Sequence, residues 1–356
     1  MTSRERVSKA LSFGHPDRGP RDLWWLPAVE MTQKEELNSL LRRIPMDIDT
    51  PKYKVGLSGR QRGQSTIPVA GSHPPVFIPK KGNYVDEWGS VWHVAEDGII
   101  GEVKEAVLDD LSKIAGLSPP WEYLETTDLS KVNRSCAESD KFMLSGICAR
   151  PFERMQFVRG TEKLFMDLAY GTKEIFKLRD MIHEYNLKRI KMWLETDVDG
   201  ILMMDDWGTQ NSLLISPALW REFFKPLYAE YCDLIHKQGK YVFFHSDGWI
   251  EDLYDDMVGM KVDAINSQLF CMNIEKLAEK YRGKITFWGE IDRQRILPFG
   301  NVHEVTEAVY RVRKALDDGT GGVIAQCEWG KNNHMENMES VFEAWNKPLE
   351  EIKESN

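Results

Sequence analysis

From about residue 140 onward, short apolar runs alternate with longer amphipathic stretches. The run "KYVFFHSDGWI", Lys240 to Ile250, shows the typical unit, since its apolar residues lead directly into His245, Ser246 and Asp247. Such a run predicts a buried strand that delivers polar side chains to an open edge of a sheet. Strands are predicted at "KFMLSGIC", "GILMMDD", 241–245, "VDAINSQ", "KITFWGEI" and "GGVIAQC". Helices are predicted at 161–196, 217–238, 250–258, 273–281, 303–317 and 338–353.

Strands and helices that alternate at short spacing predict a parallel sheet with helical crossovers. The N-terminal part adds a helix at 2–12, a strand at "DLWWLPA" and one strand in the less regular region 46–90. About eight strand–helix units result, the number that closes a (β/α)8 TIM barrel. A doubly wound open sheet is the alternative. Its nucleotide-binding versions lose support, because no G-x-G-x-x-G or phosphate loop opens a helix.

The region from about 50 to 125 interrupts this alternation of strands and helices. Glycine, proline and two aromatic-rich or apolar pieces, "YVDEWGSVW" and "GIIGEVKEAVL", predict hairpin-like strands on an insertion. No internal repeat, low-complexity tract or linker divides the chain. We therefore expect residues 1–356 to form a single barrel domain with an N-terminal helix and a hairpin-rich insertion.

Composition narrows the classes of function. The chain has 356 residues and a formal net charge of −10, which argues against partners such as nucleic acid or an anionic membrane surface. Five cysteines without a C-x-x-C pair make a disulfide framework unfavourable and indicate a reducing cytoplasm. The polar N-terminus "MTSRERVSKALSF" has no apolar signal core, and no apolar run approaches the length of a membrane helix. We expect a soluble cytoplasmic protein, a monomer or a homodimer.

Acidic and tryptophan side chains follow almost every predicted strand. An acid at this place is often the cap of the next helix, and a lone tryptophan is usually packing. Many like charges at one rim, however, are costly without a cation or a shared proton, so the set indicates a site. The candidate catalytic acids are Glu153, Asp205, Asp206, Asp247 and Glu290. The candidate substrate-binding residues are Trp24, Trp25, Trp88, Trp207, Trp249 and Trp329.

His245 and Cys327 form the sharpest pair of candidates. Both belong to apolar strands, and imidazole with thiolate is a favourable combination for Zn²⁺. Asp247, Glu290 or Glu328 could complete a tetrahedral set. The competing interpretation is a small buried cysteine and a hydrogen-bonded histidine at a strand end.

Six ordered motifs together resemble the uroporphyrinogen decarboxylase superfamily, over roughly residues 4 to 350. The resemblance implies a (β/α)8 barrel with its site at the C-terminal ends of the strands, in agreement with the pattern. The motifs are "RERVSKALSFGHPDRGP", "DEWGSVW", "MMDDWGTQNSLLISPALWREFFKPLY", "FFHSDG", "ITFWGEID" and "GGVIAQCEWG".

True uroporphyrinogen decarboxylases, which need no cofactor, are one branch of this superfamily. Their signature after the first strand is "RQAGR", whose arginines hold the substrate carboxylates. Here Trp24 to Glu30 read "WWLPAVE", without an arginine, and "CEWG" replaces their late glycine-histidine motif. Binding a polyanionic substrate requires bidentate contacts from arginine, and an acidic opening of the barrel would repel such a substrate. Decarboxylation is therefore the less favoured activity.

Corrinoid-dependent methyltransferases are the second branch. In the coenzyme M type, zinc is held by His-x-Cys and by a cysteine at the last strand; the matching residues here are His245, Asp247 and Cys327. The replacement of the first cysteine by Asp247 makes the site harder and favours an ether or phenolic oxygen over a thiol. Glu328 is a further candidate ligand.

The resemblance thus implies transfer of a methyl group from a methoxylated small molecule, with an aromatic ether as the favoured donor. The acceptor would be the Co(I) corrinoid of a separate carrier protein. One of Asp205 and Asp206 would point inward to orient the donor or share a proton, because adjacent residues of a strand face opposite sides. A non-catalytic barrel that binds a corrinoid or a small ligand is the remaining alternative.

Overall fold

A computed structural model describes residues 1–63 and 79–354 of the chain, and its main element is a barrel of eight parallel strands. The strands run in the order β1-β11-β10-β9-β8-β7-β6-β2, with every neighbouring pair parallel. The predicted (β/α)8 architecture is confirmed. The strands in chain order are β1 Arg21–Trp25, β2 Ile48–Asp49, β3 Gly82–Val85, β4 Val91–Val94, β5 Glu102–Glu105, β6 Phe142–Ala149, β7 Gly200–Met204, β8 Tyr241–Ser246, β9 Ala264–Ser267, β10 Thr286–Trp288 and β11 Val323–Trp329.

Helices surround the barrel and connect its strands. The predicted helix 217–238 is two helices, because Pro226 restarts the helix near its first turn, and Pro348 likewise divides 338–353. The α-helices are α1 Ser3–Leu11, α2 Pro27–Thr32, α3 Lys34–Arg43, α4 Trp121–Glu125, α5 Val132–Ala137, α6 Pro151–Arg159, α7 Thr161–Tyr170, α8 Lys173–Leu194, α9 Pro217–Phe223, α10 Lys225–Lys237, α11 Tyr254–Gly259, α12 Ile274–Tyr281, α13 Ile296–Phe299, α14 Val302–Leu316, α15 Met335–Asn346 and α16 Leu349–Glu354. Short 3-10 segments lie at Leu111–Gly116, Glu251–Leu253 and Leu269–Cys271.

Large apolar side chains fill the interior of the barrel near the beginnings of its strands. Val7 and Leu11 of α1 belong to the same buried cluster, so α1 closes this end. Burial of apolar surface is the dominant stabilising force, and the filled interior leaves the opposite end for polar side chains. The other buried members are Ile48, Phe142, Leu144, Leu202, Phe243, Ala264, Trp288 and Ile324.

The insertion contains an antiparallel sheet with the order β3-β4-β5, which confirms the predicted hairpins. Its β3–β4 turn is organised by Asp86, whose Oδ1 accepts three backbone N–H groups. Arg154 of α6 contacts Asp86 at 3.3 Å and Glu87 at 2.8 Å. These ion pairs attach the insertion to the barrel.

Within residues 1–63 and 79–354, no helix is long and apolar enough to cross a membrane. All five cysteines are free thiols, in agreement with the expected absence of a disulfide framework.

Asp47 joins the two ends of the strand order. Its backbone N–H donates to the carbonyl of Arg21 at 2.8 Å, next to β2 and at the start of β1. Its carboxylate is 1% exposed and accepts hydrogen bonds from Ser3, Arg6 and Arg18, each at 2.7 Å. Burial alone would raise the pKa of Asp47, but the hydrogen bonds from Arg18 and Ser3 outweigh it and lower the pKa. The motif around residues 4–20 thus closes the barrel.

We expect Asp47→Asn to lower the free energy of unfolding at neutral pH by about 3 kcal/mol, because Arg6 and Arg18 lose a buried anion. Since the folded pKa lies below the unfolded one, this contribution is complete above about pH 3.9 and disappears as pH falls through the folded value. Urea denaturation at several pH values measures it. Asp17→Asn, which removes a more exposed partner of Arg6, should cost less than about 1 kcal/mol. An equal loss of unfolding free energy in Asp47→Asn and Asp17→Asn would contradict this role of Asp47.

Candidate functional site

Three side chains meet at the C-terminal ends of neighbouring strands: Asp206 after β7, and His245 and Asp247 at the end of β8. Nε2 of His245 lies 3.5 Å from Oδ1 of Asp206 and 3.4 Å from Oδ1 of Asp247. One ligand atom from each lies within 4.8 Å of the other two. We call these three residues the His245 cluster.

The orientation of the His245 ring is fixed from its other side. Nδ1 lies 2.6 Å from Oδ1 of Asn266, whose amide nitrogen donates to the carbonyl of Trp288 at 2.5 Å and to Oε1 of Gln326 at 3.0 Å. A backbone carbonyl can only accept, so the Asn266 nitrogen must face Trp288 and its oxygen must face His245. Nδ1 therefore carries a proton, and Nε2 is directed at the two carboxylates.

Two atoms of the cluster lack a hydrogen bond. In the described part of the chain, Oδ1 of Asp247 is buried and accepts none, and Nε2 of His245 makes only the two longer contacts with carboxylates. Asp206 is fixed because its Oδ1 accepts the backbone N–H of Asp247 at 2.9 Å. Unpaired buried acceptors are costly, so the arrangement fits a cation. One imidazole nitrogen and two carboxylate oxygens are donors that zinc accepts.

Arg293 connects three acidic residues beside this cluster. It contacts Oδ2 of Asp247, Oε1 of Glu328 at 2.9 Å and Oε1 of Glu290 at 3.6 Å. Burial raises the pKa of Glu290 well above its usual range; Arg293 opposes this shift, whereas Glu328 and Asp247 add to it. Glu290, which is 3% exposed, is therefore the carboxyl group beside the cluster whose surroundings favour the protonated form.

The adjacent aspartates point to different places, and Asp205 does not join the cluster. Its buried carboxylate accepts the backbone N–H groups of Phe152 at 2.8 Å and Glu153 at 2.7 Å, and the Tyr228 hydroxyl at 2.5 Å. Asp205 therefore caps the start of α6, a helix that precedes β7 in the chain, and not the helix that follows it. The structure assigns it to holding α6 in place.

Glu153 lies on that first turn of α6 and pairs with Arg150. Three hydrogen bonds, at 2.7, 2.8 and 3.1 Å, join the Arg150 guanidinium to its carboxylate. Burial raises the pKa of Glu153, and Arg150 opposes the shift. The site therefore contains a second acidic group that is strongly tied to an arginine.

The structure corrects the predicted metal ligands Cys327 and Glu328. In the described residues, the ligand atoms that gather around His245 come from Asp206 and Asp247 only. Along β11, Gln326 and Glu328 face the site, so Cys327 between them faces the helices and packs in the outer core. Burial, with Glu290 and Asp22 nearby, raises the pKa of the Cys327 thiol, which disfavours a thiolate ligand.

Two of the six predicted tryptophans are only partly buried. Trp24 lies with its ring centroid 5.1 Å from that of His245 and makes an edge contact with Trp288. Trp249 follows Asp247 directly and is partly buried. A substrate-binding role remains a prediction for both.

The other four tryptophans are packing residues in this structure, which corrects their predicted role. Trp207 stacks on Phe152 with ring centroids 4.1 Å apart and has no exposed surface. Trp88, in the β3–β4 turn of the insertion, packs against Tyr185 of α8. Trp25 and Trp329 sit side by side on β1 and β11, and their indole N–H groups bond to polar residues of α2 and its C-terminal end. A tryptophan at the end of a strand lines the mouth of the barrel only when the alternation of side chains along that strand turns it inward.

Sequence reasoning missed Asn266 and Arg293. Asn266 is two residues after Ala264 in "VDAINSQ", and alternation from that interior residue would have turned it inward. Arg293 is three residues after Glu290 in "GEIDRQR", a spacing that allows an ion pair but does not require one.

We expect Asp205→Ala to lower the free energy of unfolding by about 2 kcal/mol or more, because α6 loses its cap and the Tyr228 hydroxyl loses its acceptor. Thermal and urea denaturation measure this loss. Asp206→Ala, which removes a partly exposed carboxylate, serves as the matched control and should cost less. A stable Asp205→Ala protein would show that this carboxylate is not structural.

Comparisons with known proteins agree with this architecture. A methyltransferase from Methanosarcina mazei superposes with a TM-score of 0.70 at 13% identity, covering 97% of this chain and 98% of that chain, a likeness that shows the fold alone. An endo-beta-1,4-xylanase from Gloeophyllum trabeum matches with a TM-score of only 0.39 at 8% identity, over 61% of this chain and 79% of the xylanase chain. No curated protein matches. The family model of uroporphyrinogen decarboxylase (URO-D) matches residues 90–347, more than half of the chain, and the protein therefore belongs to this family.

Proposed function

We propose that this protein is a methyltransferase that moves a methyl group from a methoxylated small molecule, with an aromatic ether as the favoured donor. The acceptor is the Co(I) corrinoid of a separate carrier protein, and zinc bound at the His245 cluster assists. The single observation that carries the proposal is the convergence of Nε2 of His245 and Oδ1 of Asp247, both without a hydrogen bond, at the mouth of the barrel. The likeness in fold to a methyltransferase supports it.

His245, Asp206 and Asp247 would hold the zinc ion. When bound, zinc supplies Lewis-acid polarisation of an ether or phenolic oxygen. Asn266 serves this purpose indirectly, because its hydrogen bond keeps the proton of His245 on Nδ1 and leaves Nε2 free. The donor set lacks a thiolate, which suits an oxygen substrate better than a thiol.

Glu290 is the proposed source of the proton. As the carbon–oxygen bond of the ether breaks, its electron pair stays on the oxygen, and the methyl carbon bonds to cobalt through the electron pair of Co(I). The departing oxygen is a poor leaving group unless it receives a proton. Glu290 is buried, its pKa is raised, and its carboxyl group lies 3.6 Å from the Arg293 guanidinium, so it is suited to this role.

Trp24 and Trp249 are the proposed contacts of the aromatic ring of the donor. Trp24 lies beside His245, so a ring placed against it would bring its methoxy group towards the cluster. An aromatic contact of this kind contributes about 0.5–1.5 kcal/mol beyond the buried area.

Decarboxylation of a porphyrinogen is the alternative for this family, and the charges oppose it. Among the described residues, Arg150, Arg154 and Arg293 are held by acidic side chains of the protein: Arg150 by Glu153, Arg154 by Glu87, and Arg293 by three carboxyl groups. A substrate with many carboxylates needs free guanidinium groups. A non-catalytic binder, the third hypothesis, would have little use for a buried histidine aimed at carboxylates.

We expect methylcobalamin to form when the purified protein is mixed with a methoxyarene, zinc and cobalamin reduced to Co(I), and its visible spectrum measures it. His245→Ala should lose both the bound metal and the activity. His303→Ala, which alters an exposed histidine of α14, is the matched control and should behave as the wild type. Full activity of metal-free His245→Ala would contradict the role of the metal, and turnover of uroporphyrinogen in a parallel assay would favour the decarboxylase.

Glu290→Gln should lower kcat by about a hundredfold or more, because the leaving oxygen loses its acid. In the wild type, a raised pKa means that Glu290 keeps its proton to a higher pH than an ordinary glutamate and loses it as pH rises through that pKa, so the rate falls on the alkaline side. The variant should lack this decline. Asp292→Asn removes a neighbouring carboxylate that caps the N–H groups of Gln294 and Arg295 and adds to the raised pKa of Glu290, so this variant should keep the alkaline decline but shift it to lower pH. An unchanged profile in Glu290→Gln would exclude Glu290 as the acid.

A further inference from the structure

Arg293 contacts acidic residues from the ends of three different strands. Asp247 follows β8, Glu290 follows β10 and Glu328 belongs to β11. The guanidinium is largely buried, with 18% of the side chain exposed. Its planar set of N–H groups has fixed directions, so each contact restricts the position of the carboxyl group that makes it.

The contact with Asp247 decides how that residue presents its oxygens. Arg293 occupies Oδ2, whereas Oδ1 remains buried without a hydrogen bond, 3.4 Å from Nε2 of His245. A carboxylate held in this way offers a single oxygen in a fixed direction. It cannot rotate to bind an ion through both oxygens without breaking the ion pair.

We propose that Arg293 is a positioning residue of the metal site, which orients Asp247 for binding through Oδ1 alone. The inference rests on the metal site of the proposed function. The contact with Glu328 fixes the guanidinium from its other side. Residues that orient metal ligands in this manner raise metal affinity by about 10–100-fold.

A purely electrostatic role would have different consequences. If Arg293 only neutralised nearby carboxylates, a lysine would replace it with little loss. A single ammonium group cannot reproduce the directions in which the guanidinium holds Asp247 and Glu328. The orienting role therefore predicts weaker metal binding for Arg293→Lys as well as for Arg293→Met.

The experiment measures the zinc affinity of the full-length protein by competition with a chromophoric chelator. Arg293→Met should weaken binding by about 10–100-fold, and Arg293→Lys should weaken it less but measurably. Arg295→Met is the matched control, because Arg295 is exposed, and it should bind zinc as the wild type does. Unchanged affinity in Arg293→Met, or full recovery in Arg293→Lys, would overturn the inference.

A double-mutant cycle separates orientation of Asp247 from a general effect on the fold. In an Asp247→Ala background, Arg293→Met should change zinc affinity less than about twofold, because the residue through which Arg293 acts is absent. If Arg293→Met weakened zinc binding as strongly in the Asp247→Ala background as in the wild type, the inference would be overturned. It would also be overturned if Arg293→Met lowered the thermal stability of the zinc-free protein but left its zinc affinity unchanged. If the wild type itself binds no zinc, the metal site fails together with this inference. If the wild type binds zinc and only the variants behave unexpectedly, this inference alone fails.

Discussion

The hydrogen bond between Nδ1 of His245 and the amide oxygen of Asn266 is the interaction on which the site depends. Because the Asn266 nitrogen is committed to the carbonyl of Trp288, the amide cannot turn, and the imidazole has only one neutral tautomer that satisfies it. That tautomer presents a lone pair to Asp206 and Asp247. The other tautomer would carry its proton on Nε2 and donate it to these carboxylates, which would leave no imidazole lone pair for a cation.

Stability and chemistry are separated along the axis of the barrel. At the beginnings of the strands, the buried carboxylate of Asp47 holds three side chains of the N-terminal segment and closes the gap between β1 and β2. At their ends, carboxylates are brought together that would repel one another in the absence of Arg293. The fold tolerates this repulsion between carboxylates because the contacts at the beginnings of the strands stabilise the barrel.

Much of the fold follows from local patterns, whereas the site does so only in part. Apolar runs and short spacing identify the parallel strands, and the residue types identify His245 and the acids. The direction of each side chain depends on register and on the last residue that still belongs to the strand, which short runs do not fix. Cys327 illustrates the problem, since a shift of one position would turn it towards His245. Trp207 does so as well, because its packing on Phe152 depends on a helix that is distant in sequence.

Helix α1 has a consequence for access to the barrel. Since Val7 and Leu11 fill the end where the strands begin, molecules that reach His245 share the opening at the opposite end. Under the proposed function, the methyl donor would therefore have to enter before the carrier protein docks, and the demethylated product would leave after the carrier protein has gone.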